Sequence, residues 1–520
     1  MPPTRDVSPT PSPLTRSAGW VVVAGLLLAA AWRLTLGTMY AGWEESDYGN
    51  LAMIQGVLAG GFRHYDMNHM PGYYAASAAV HALVSDAVIA GRSVALAGGL
   101  VAWAGGVWLA WRLGGRLAAG IAGLLLVTQP EFALYAASTL REPMYAAGLV
   151  GFVAGLIARR PGLAALAGVV AFSVRFDALV VLPAIAAVHA LGLRGGFRVV
   201  AKALVPVFLA AAGWSLYCKV DHGTFQFWSH AVAVNVETGL GAESEGTGAW
   251  LVSGLWVAVR LVAWLLPWRV GWGVWLAAVV WLVAVRWRSP HPVRTLAAGV
   301  FMATGFWGAV GFVGQHSPEH NLYWKWMMPL VPLVVPLGAV GLARGHSLLA
   351  ARTGPVVAGA LLAVVLAQAL TSHARETQRQ LALSQELYAP QVALGRWIEA
   401  EIPEDVPLVV DNIPACWINR RPHERRMVSW FDVPVKGGGP ALAEWLASEG
   451  VPWVLWFQEE WTQAPVAAPE LADGGTVQVG PLTLVERARE DAYGWILYEV
   501  HGEGVPEHVG APPPHPSRPR

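Results

Sequence analysis

A series of long apolar runs sets the strongest limit on how this chain can fold, although several of the runs are short or tightly joined. A membrane helix needs roughly 20 apolar residues. A first run at 18–38 is long enough to be an uncleaved first helix rather than a cleaved signal peptide. Ten more follow at about 88–111, 116–129, 132–157, 161–175, 176–193, 198–217, 270–286, 294–313, 326–343 and 354–371. The pattern therefore predicts about eleven membrane helices, give or take one or two.

Composition supports a chain that is solvated by lipid. Only 13% of its residues are charged, whereas about 25% is usual for a soluble domain. The 27 tryptophans fit many helix ends at membrane–water interfaces. Lys and Arg together number 35, as do Asp and Glu, so no net field favours nucleic acid. Cys218 and Cys416 define no metal site, and two separate thiols fit at least as well as a pair.

Arginines in the short connections predict the orientation. They lie in pairs or triplets between apolar runs, where the positive-inside rule predicts cytoplasmic turns. They are Arg112 and Arg116, Arg159 and Arg160, Arg194 and Arg198, Arg286, Arg288 and Arg294, and Arg344 and Arg352. This alternation places the N-terminus inside and the loop 39–87 outside. Residues 250–268 are predicted as an interfacial helix, because a twelfth span would move the Arg286 group outside. Arg33, near the outer end of the first run, is expected to snorkel.

The predicted fold is an all-α polytopic membrane bundle with a C-terminal extracytoplasmic α/β domain. A disordered cytoplasmic tail covers 1–17, the membrane domain 18–371, the outer domain 372–505, and a second disordered tail 506–520. In the outer domain, 373–402 is amphipathic and charged, which predicts a helix. VPLVV (406–410) and VPWVLWF (451–457) are typical of buried strands, with a helix near 440–449 between them. VQVGPLTLVERA and YGWILYEV are predicted as edge strands.

The first outer loop concentrates polar side chains in a chain with few of them. Residues 43–74 carry Glu44, Glu45, Asp47, Arg63, His64, Asp66 and His69. The stretch reads as acids and Tyr48, an apolar helical run that ends at Gly60-Gly61, a polar turn, and then HMPGYY at 69–74. A solvated loop would also explain the acids alone, but the composite pattern favours an active-site loop on a membrane bundle.

This ordered pattern resembles the membrane-embedded GT-C glycosyltransferases of the protein O-mannosyltransferase and lipid-A aminoarabinose transferase type. Their first outer loop carries Asp-Glu-x-x-Tyr, a helix ending near Gly, and a Pro-containing segment before a Tyr-rich helix; here these read EESDY, GVLAGG and HMPGYY. The resemblance extends to QPEFALYAASTLREP (129–143), GVVAFSVRFDALVVLP (168–183), HNLYWKWMMPLVPLV (320–334) and LGRWIEAEIPEDVPLVVDN (394–412). It implies a GT-C bundle of about 11 transmembrane helices in the cell membrane.

The resemblance also implies site residues and a chemistry. Glu44 takes the place of the family's catalytic Asp, and Asp47 is the alternative base one helical turn along. An outward-facing transferase needs a lipid-carried donor, and a polyprenyl-phosphate sugar supplies a good leaving group. A carboxylate then deprotonates an acceptor hydroxyl on a glycan, lipid or protein, with inversion at the sugar. The expected donor-binding residues are Glu45, Tyr48, Arg63, His64, His69, Glu142, Arg175 and Lys325.

Several alternatives stay open from the residues themselves. A divalent cation on His64, His69, Glu44 and Asp47 matches no known ligand spacing. Arg175 with Asp177 could simply anchor a helix junction, and Lys325 between two tryptophans could be an interfacial anchor. A transporter or lipid flippase is the alternative function, although no matched halves with broken helices are evident. A non-catalytic membrane scaffold whose outer domain binds partners is a third.

Overall fold

The computed structural model describes residues 13–39, 50–51, 53–54, 56–58, 70–192, 196–223, 266–284, 328–402, 406–410, 427–429, 438–457, 464, 468–490 and 494–506. The helices of the first 401 residues are α1 Pro13–Met39, α2 Gly72–Val84, α3 Ala87–Thr128, α4 Pro130–Tyr135, α5 Glu142–Ile157, α6 Pro161–Val174, α7 Ala178–Gly192, α8 Gly196–His222, α9 Leu266–Val270, α10 Trp272–Ala284, α11 Val331–Thr353 and α12 Pro355–Glu401. A 3-10 turn at Met328–Leu330 precedes α11.

Local residue chemistry explains where these helices begin. The carboxylate of Asp86 accepts a hydrogen bond from the Ile89 backbone N–H at 2.9 Å and caps α3. Prolines occupy the first positions of α4, α6 and α12, where a missing N–H has no cost. Gly115, at φ 80°, turns the chain inside α3 and separates two arms. The arms match the predicted runs 88–111 and 116–129.

Within the described residues, four helices are long and apolar enough to cross a membrane. They are Ala87–Thr128, Gly196–Asp221, Met328–Thr353 and Pro355–Gln385. Shorter apolar helices lie at Ala24–Met39, Glu142–Ile157, Pro161–Val174, Ala178–Ala187 and Trp272–Val283. Large apolar side chains such as Leu209, Val220 and Val356 are exposed on their outer faces, as expected where lipid is the solvent. The predicted membrane bundle is confirmed, and the number of eleven spans stays a prediction.

The helices are stacked so that the turns that carry arginines lie at one end of the bundle and the other turns lie at the opposite end. Gly98 of α3 lies against Met144 near the start of α5, and Gly114 lies against Val340 towards the end of α11. The arginine-bearing turns at 112–116, 159–160 and 344–352 therefore share one end, which we call the basic end. The starts of α5, α10 and α11 and the end of α6 share the other, which we call the distal end. This sorting agrees with the arginine pattern, while sidedness in the membrane stays a prediction.

The position of the Arg33 side chain differs from the prediction. Its side chain is fully buried rather than snorkelling to the interface. Its Nη1 donates to the Ala29 carbonyl at 3.1 Å, Nη2 to the Leu126 carbonyl at 3.5 Å, and the guanidinium lies 5.0 Å from the centre of the Phe132 ring. Backbone carbonyls and an aromatic face inside the bundle solvate the cation in place of water.

Two segments differ from the apolar pattern. The predicted span 132–157 is broken, because α4 ends at Tyr135 and a turn precedes α5 at Glu142. The predicted boundary at residue 371 falls inside α12, a single helix of 47 residues that runs from the bundle into the C-terminal domain. The predicted interfacial helix at 250–268 and the span at 294–313 lie mostly or wholly outside the described residues.

The C-terminal domain is a six-stranded mixed sheet between two helices. Its elements are β1 Leu408–Val410, β2 Met427–Ser429, α13 Gly438–Glu449, β3 Trp453–Phe457, β4 Thr476–Val479, β5 Leu482–Glu490 and β6 Trp495–His501, with a 3-10 turn at Pro469–Leu471. The strand order is β2-β1-β3-β6-β5-β4, with β1 parallel to β2 and β3 and the other pairs antiparallel.

Alternating side chains of these strands fill two cores. Trp453 and Leu455 of β3 face Ile398 and Ile402 at the end of α12, whereas Val454 and Trp456 belong to the core that includes α13. The prediction of β6 as an edge strand is wrong, because β6 pairs with β3 on one side and β5 on the other. Its residues 495–500, apolar except for Glu499, are buried on both faces, which is the pattern of an interior strand.

Candidate active site

The structure describes part of the predicted site. Glu142 and Arg175 are described, and the structure brings them together. The other predicted site residues lie outside the described residues; they are Glu44, Glu45, Asp47, Tyr48, Arg63, His64, His69 and Lys325. The roles assigned to these eight side chains therefore stay predictions.

Glu142 and Arg175 meet because α5 and α6 are antiparallel neighbours. Glu142 is the first residue of α5, and Arg175 is the residue after the last turn of α6. Arg175 Nη1 donates to Glu142 Oε1 at 3.2 Å. The Glu142 side chain is fully buried and that of Arg175 is 12% exposed. A carboxylate at a helix N-terminus also gains from the helix dipole.

A second carboxylate holds the same guanidinium. Arg175 Nε donates to Asp177 Oδ1 at 3.1 Å, and the guanidinium carbon lies 5.6 Å from the centre of the Tyr145 ring. Arginine is not deprotonated in proteins, so the group is a permanent cation. The predicted junction anchor between Arg175 and Asp177 exists, and it coexists with the Glu142 contact.

Three further polar residues, none of them among the predicted site residues, link this pair to the first loop. The Asn50 side-chain amide donates to the Thr139 carbonyl at 2.9 Å, and its Oδ1 accepts from the Tyr74 hydroxyl at 2.7 Å. Arg141 Nη1 donates to that hydroxyl at 3.4 Å, and Arg141 Nε lies 4.0 Å from Glu142. Their positions in the chain could have indicated them, because Asn50 lies two residues after Tyr48 of the acidic motif and Tyr74 is the last residue of HMPGYY.

The cluster of Arg141, Arg175, Glu142 and Asp177 is electrically balanced, with two cations and two anions. It fixes the direction of each arginine, but by itself it adds no net attraction for a phosphate. Net positive charge at such a site must come from other side chains, among which Arg63 and Lys325 are the predicted ones. The described cluster is thus one wall of the candidate site.

A second polar cluster was also missed. Arg269 of α9 donates to both Glu131 of α4 and Glu376 of α12. The Gln129 amide donates to Glu131 Oε2 at 2.5 Å, and Thr128 Oγ1 lies 3.0 Å from His373 Nδ1. Glu131 and Glu376 lie 138 and 107 positions from Arg269 in the chain, so no local pattern indicates that these residues meet.

No metal site is evident in the part of the chain that the structure describes, since no three His, Cys, Asp or Glu residues group there. The predicted alternative of a divalent cation on Glu44, Asp47, His64 and His69 concerns residues beyond that part. It therefore stays a hypothesis.

Comparison with known proteins gives matches at the level of structure. The chain is similar to ArnT from Cupriavidus metallidurans bound to undecaprenyl phosphate, with TM-score 0.61 and 14% identity over 94% of this chain and 99% of that one. The apo state of the same protein gives TM-score 0.59 and 14% identity over 93% and 98%. The apo oligosaccharyltransferase from Archaeoglobus fulgidus gives TM-score 0.52 and 11% identity over 84% and 69%.

No protein-family model and no curated protein matches the sequence. At these identities the structural likeness establishes the fold. ArnT, a lipid A aminoarabinose transferase, and the oligosaccharyltransferase are both GT-C glycosyltransferases. The chain therefore has the GT-C fold, a membrane bundle with a small C-terminal sheet domain, as its loop motifs predicted.

Proposed function

From the GT-C fold, shared with a transferase whose structure holds undecaprenyl phosphate, we propose that this protein is a membrane glycosyltransferase. It transfers a sugar from a polyprenyl-phosphate carrier to a hydroxyl on a glycan, lipid or protein, at the extracytoplasmic face. The observation that carries the proposal is the structural match over 94% of this chain and 99% of the transferase. The charged cluster at the distal end supports it.

The chemistry assigns one task to an acid and another to cations. The departing polyprenyl phosphate is a good leaving group, so no general acid is required. Glu44, with Asp47 as the alternative, removes the proton from the acceptor hydroxyl as the oxygen attacks the anomeric carbon. A single displacement inverts that carbon. Arg175, Arg63 and Lys325 stabilise the negative charge that develops on the phosphate.

The described cluster supports the role of Arg175. Its two carboxylate partners hold the guanidinium from two directions, so the side chain has little freedom to lose when a phosphate binds. Asn50 and Tyr74 connect this region to the segment that follows Glu44 and Asp47. In this proposal the base and the phosphate ligands are parts of one site built where the first loop meets α5 and α6.

The test is transfer of a labelled sugar from a polyprenyl-phosphate donor in membranes that contain the full chain. The isosteric variants Glu44→Gln and Asp47→Asn remove the charge with little change in shape. Loss of a general base should lower transfer by about 10²- to 10⁴-fold. We expect this loss in Glu44→Gln, and in the double variant if Asp47 substitutes for it.

Asp221→Asn is the matched control. Asp221 is an exposed carboxylate at the end of α8, and it accepts a hydrogen bond from the hydroxyl of Tyr217. Its variant should keep wild-type transfer. Full transfer by the Glu44→Gln/Asp47→Asn double variant would exclude the carboxylate base. Uptake of a solute into sealed vesicles without any transfer would favour a transporter instead.

A further inference from the structure

A cavity of about 600 Å³ opens at the distal end of the bundle, between the α9–α10 connection and α12. Pro130 at the start of α4 forms part of its wall, with Trp268 and Trp272 on one side and α12 on the other. The α12 wall includes Ala367 and carries several polar side chains, among them Gln368, Thr371, Ser372, Arg375 and Glu376. A volume of this size is typical of a small-ligand site.

Positive charge is in excess at this cavity. Both oxygens of Glu376 are occupied, because Arg269, Arg379 and Gln380 all donate to them. Glu131, behind the cavity, takes the second bond from Arg269. Among the described residues, Arg269, Arg375 and Arg379 therefore face two carboxylates, Glu131 and Glu376, which leaves one positive charge over.

Arg375 is the arginine that these ion pairs do not involve. Its side chain lines the cavity and is exposed. Among the described residues no carboxylate lies within ion-pair distance of it. The cavity thus presents a cation beside the hydroxyls of Thr371 and Ser372 and the amide of Gln368, all of which can donate hydrogen bonds to phosphate oxygens.

The cavity also lies at the depth of lipid headgroups. Trp268 and Trp272 are exposed at its rim, and exposed tryptophans mark the membrane–water interface. Towards the basic end, exposed apolar side chains continue from Trp272 on α10 as Leu276 and Val280.

The facing helix, α12, also has exposed apolar side chains that continue from the cavity towards the basic end. On α12, Val364 and Leu361 are exposed below Gln368. The two helices run antiparallel here, because Gly271 lies against Ala369 and Gly273 against Val365. An amphipathic ligand would meet a cationic cavity and, directly below it, two apolar stripes.

We propose that this cavity binds the phosphate headgroup of an anionic glycerophospholipid of the surrounding bilayer, with Arg375 as the main phosphate ligand and the two acyl chains along α10 and α12. The site matches such a lipid part by part. The cation and the hydroxyl donors match the phosphate, the tryptophans match the membrane–water interface, and the apolar stripes match the acyl chains. This lipid serves as a bound structural lipid and is not the sugar donor.

The site is separate from the candidate active site. The Glu142–Arg175 cluster is built from α5, α6 and the start of α7, and none of its residues lines the cavity. The Arg269 bridge lies between the cavity and α4, so a lipid there would brace α9, α10 and α12 against one another. The inference is independent of the proposed enzymatic activity, because binding is measured without turnover.

The test is native mass spectrometry of the full chain in detergent, titrated with phosphatidylglycerol, phosphatidylcholine, dioleoylglycerol or undecaprenyl phosphate. We expect the first phosphatidylglycerol to bind more tightly than phosphatidylcholine, and dioleoylglycerol, which lacks a phosphate, to bind weakly. Arg375→Ala should weaken the first phosphatidylglycerol by about tenfold, since a charge-assisted bond is lost. Arg375→Lys should keep most of the affinity.

Arg352→Ala is the matched control, because Arg352 is an exposed arginine in the last turn of α11 at the basic end. It should bind phosphatidylglycerol as the wild type does. Equal affinity of the wild type and Arg375→Ala overturns the proposal, as does equally tight binding of dioleoylglycerol. Undecaprenyl phosphate binding more tightly than phosphatidylglycerol, and only when Arg375 is present, would make this the carrier site and overturn the assignment to a bilayer lipid.

Discussion

At the residue scale, the Glu142–Arg175 ion pair has an unequal balance of costs. Both side chains are largely removed from water, at 0% and 12% exposure, so each charge depends on the other for solvation. Removing one partner leaves the other buried charge with less compensation, whereas removing both takes away the two charges together and leaves Asp177 without Arg175. The pair is therefore expected to be strongly coupled, in contrast to exposed ion pairs on the same bundle.

A double-mutant cycle tests this coupling. Glu142→Ala and Arg175→Ala should each lower the free energy of unfolding by about 3 kcal/mol, because each leaves a buried charge that has lost one of its ionic partners. The double variant should lose less than the sum, with a coupling energy of about 1–3 kcal/mol. Thermal unfolding of the detergent-solubilised protein gives the three values.

Arg379→Ala is the comparison for that cycle. Arg379 pairs with Glu376 at 2.7 Å but is 57% exposed, so its loss should cost about 0–1 kcal/mol. Strictly additive effects of Glu142→Ala and Arg175→Ala would show that the pair contributes no mutual stabilisation.

At the element scale, glycines allow the helices to come close enough to form the site. A Cβ added at Gly148 of α5 would lie 2.8 Å from the backbone N and Cα of Ala171 on α6. A Cβ at Gly155 would lie 2.5 Å from the backbone N of Ala164. In lipid, small residues of this kind provide close van der Waals packing between helices. The same approach sets the distance between Glu142 and Arg175 at the ends of these two helices.

Gly148→Ala should therefore separate α5 from α6. Forcing a methyl group into this contact is expected to cost about 1–3 kcal/mol and to reduce sugar transfer, because Glu142 moves away from Arg175. The thermal midpoint and the transfer rate are the measurements.

Gly213→Ala on α8 is the matched control, since no heavy atom lies within 4 Å of its added Cβ. It should be neutral or gain up to about 1 kcal/mol from better helix propensity. The same loss of stability in both variants would contradict a specific contact at Gly148.

At the scale of the whole molecule, α12 is the element that joins the two halves. Its membrane part contributes Glu376 to the Arg269 bridge, and its end contributes Ile398 and Ile402 to a core of the C-terminal domain. Gln385, between them, donates from its side-chain amide to the Met39 carbonyl at 3.0 Å, where the first loop begins. One continuous helix thus connects the bundle, the first loop and the sheet.

A pair of fragments tests whether the end of α12 belongs to the C-terminal domain. Fragment 386–506 should unfold cooperatively on heating, followed by circular dichroism. Fragment 406–506 should melt at a lower temperature or without cooperativity, because loss of Ile398 and Ile402 exposes Trp453, Leu455 and Trp495. Covering each such side chain contributes about 1.5–3 kcal/mol.

Ile398→Asp in the longer fragment should reproduce the effect of the truncation. Ile398 is fully buried, so the substitution places a charge in that core. Equal melting of all three proteins would show that the sheet domain is complete without α12.

Features that rest on local patterns were predictable from the amino-acid sequence. Apolar runs indicated the helices, continuous apolar segments such as VPWVLWF indicated buried strands, and the ordered loop motifs indicated the GT-C fold. These succeed because burial in lipid or between layers leaves its mark on consecutive residues. The orientation of Arg33 and the place of β6 in the sheet were missed, because both depend on neighbours from other segments.

Which charged groups meet depends on the folded arrangement of the helices. Arg175 lies 33 positions from Glu142, and Arg269 lies 138 from Glu131 and 107 from Glu376. Each of these contacts joins different helices, and a single sequence contains no local signal for which helices are neighbours. Pairing between distant side chains depends on how glycine contacts set the helix stacking, so the ion pairs and the cavity beside α12 became evident only after the bundle was assembled.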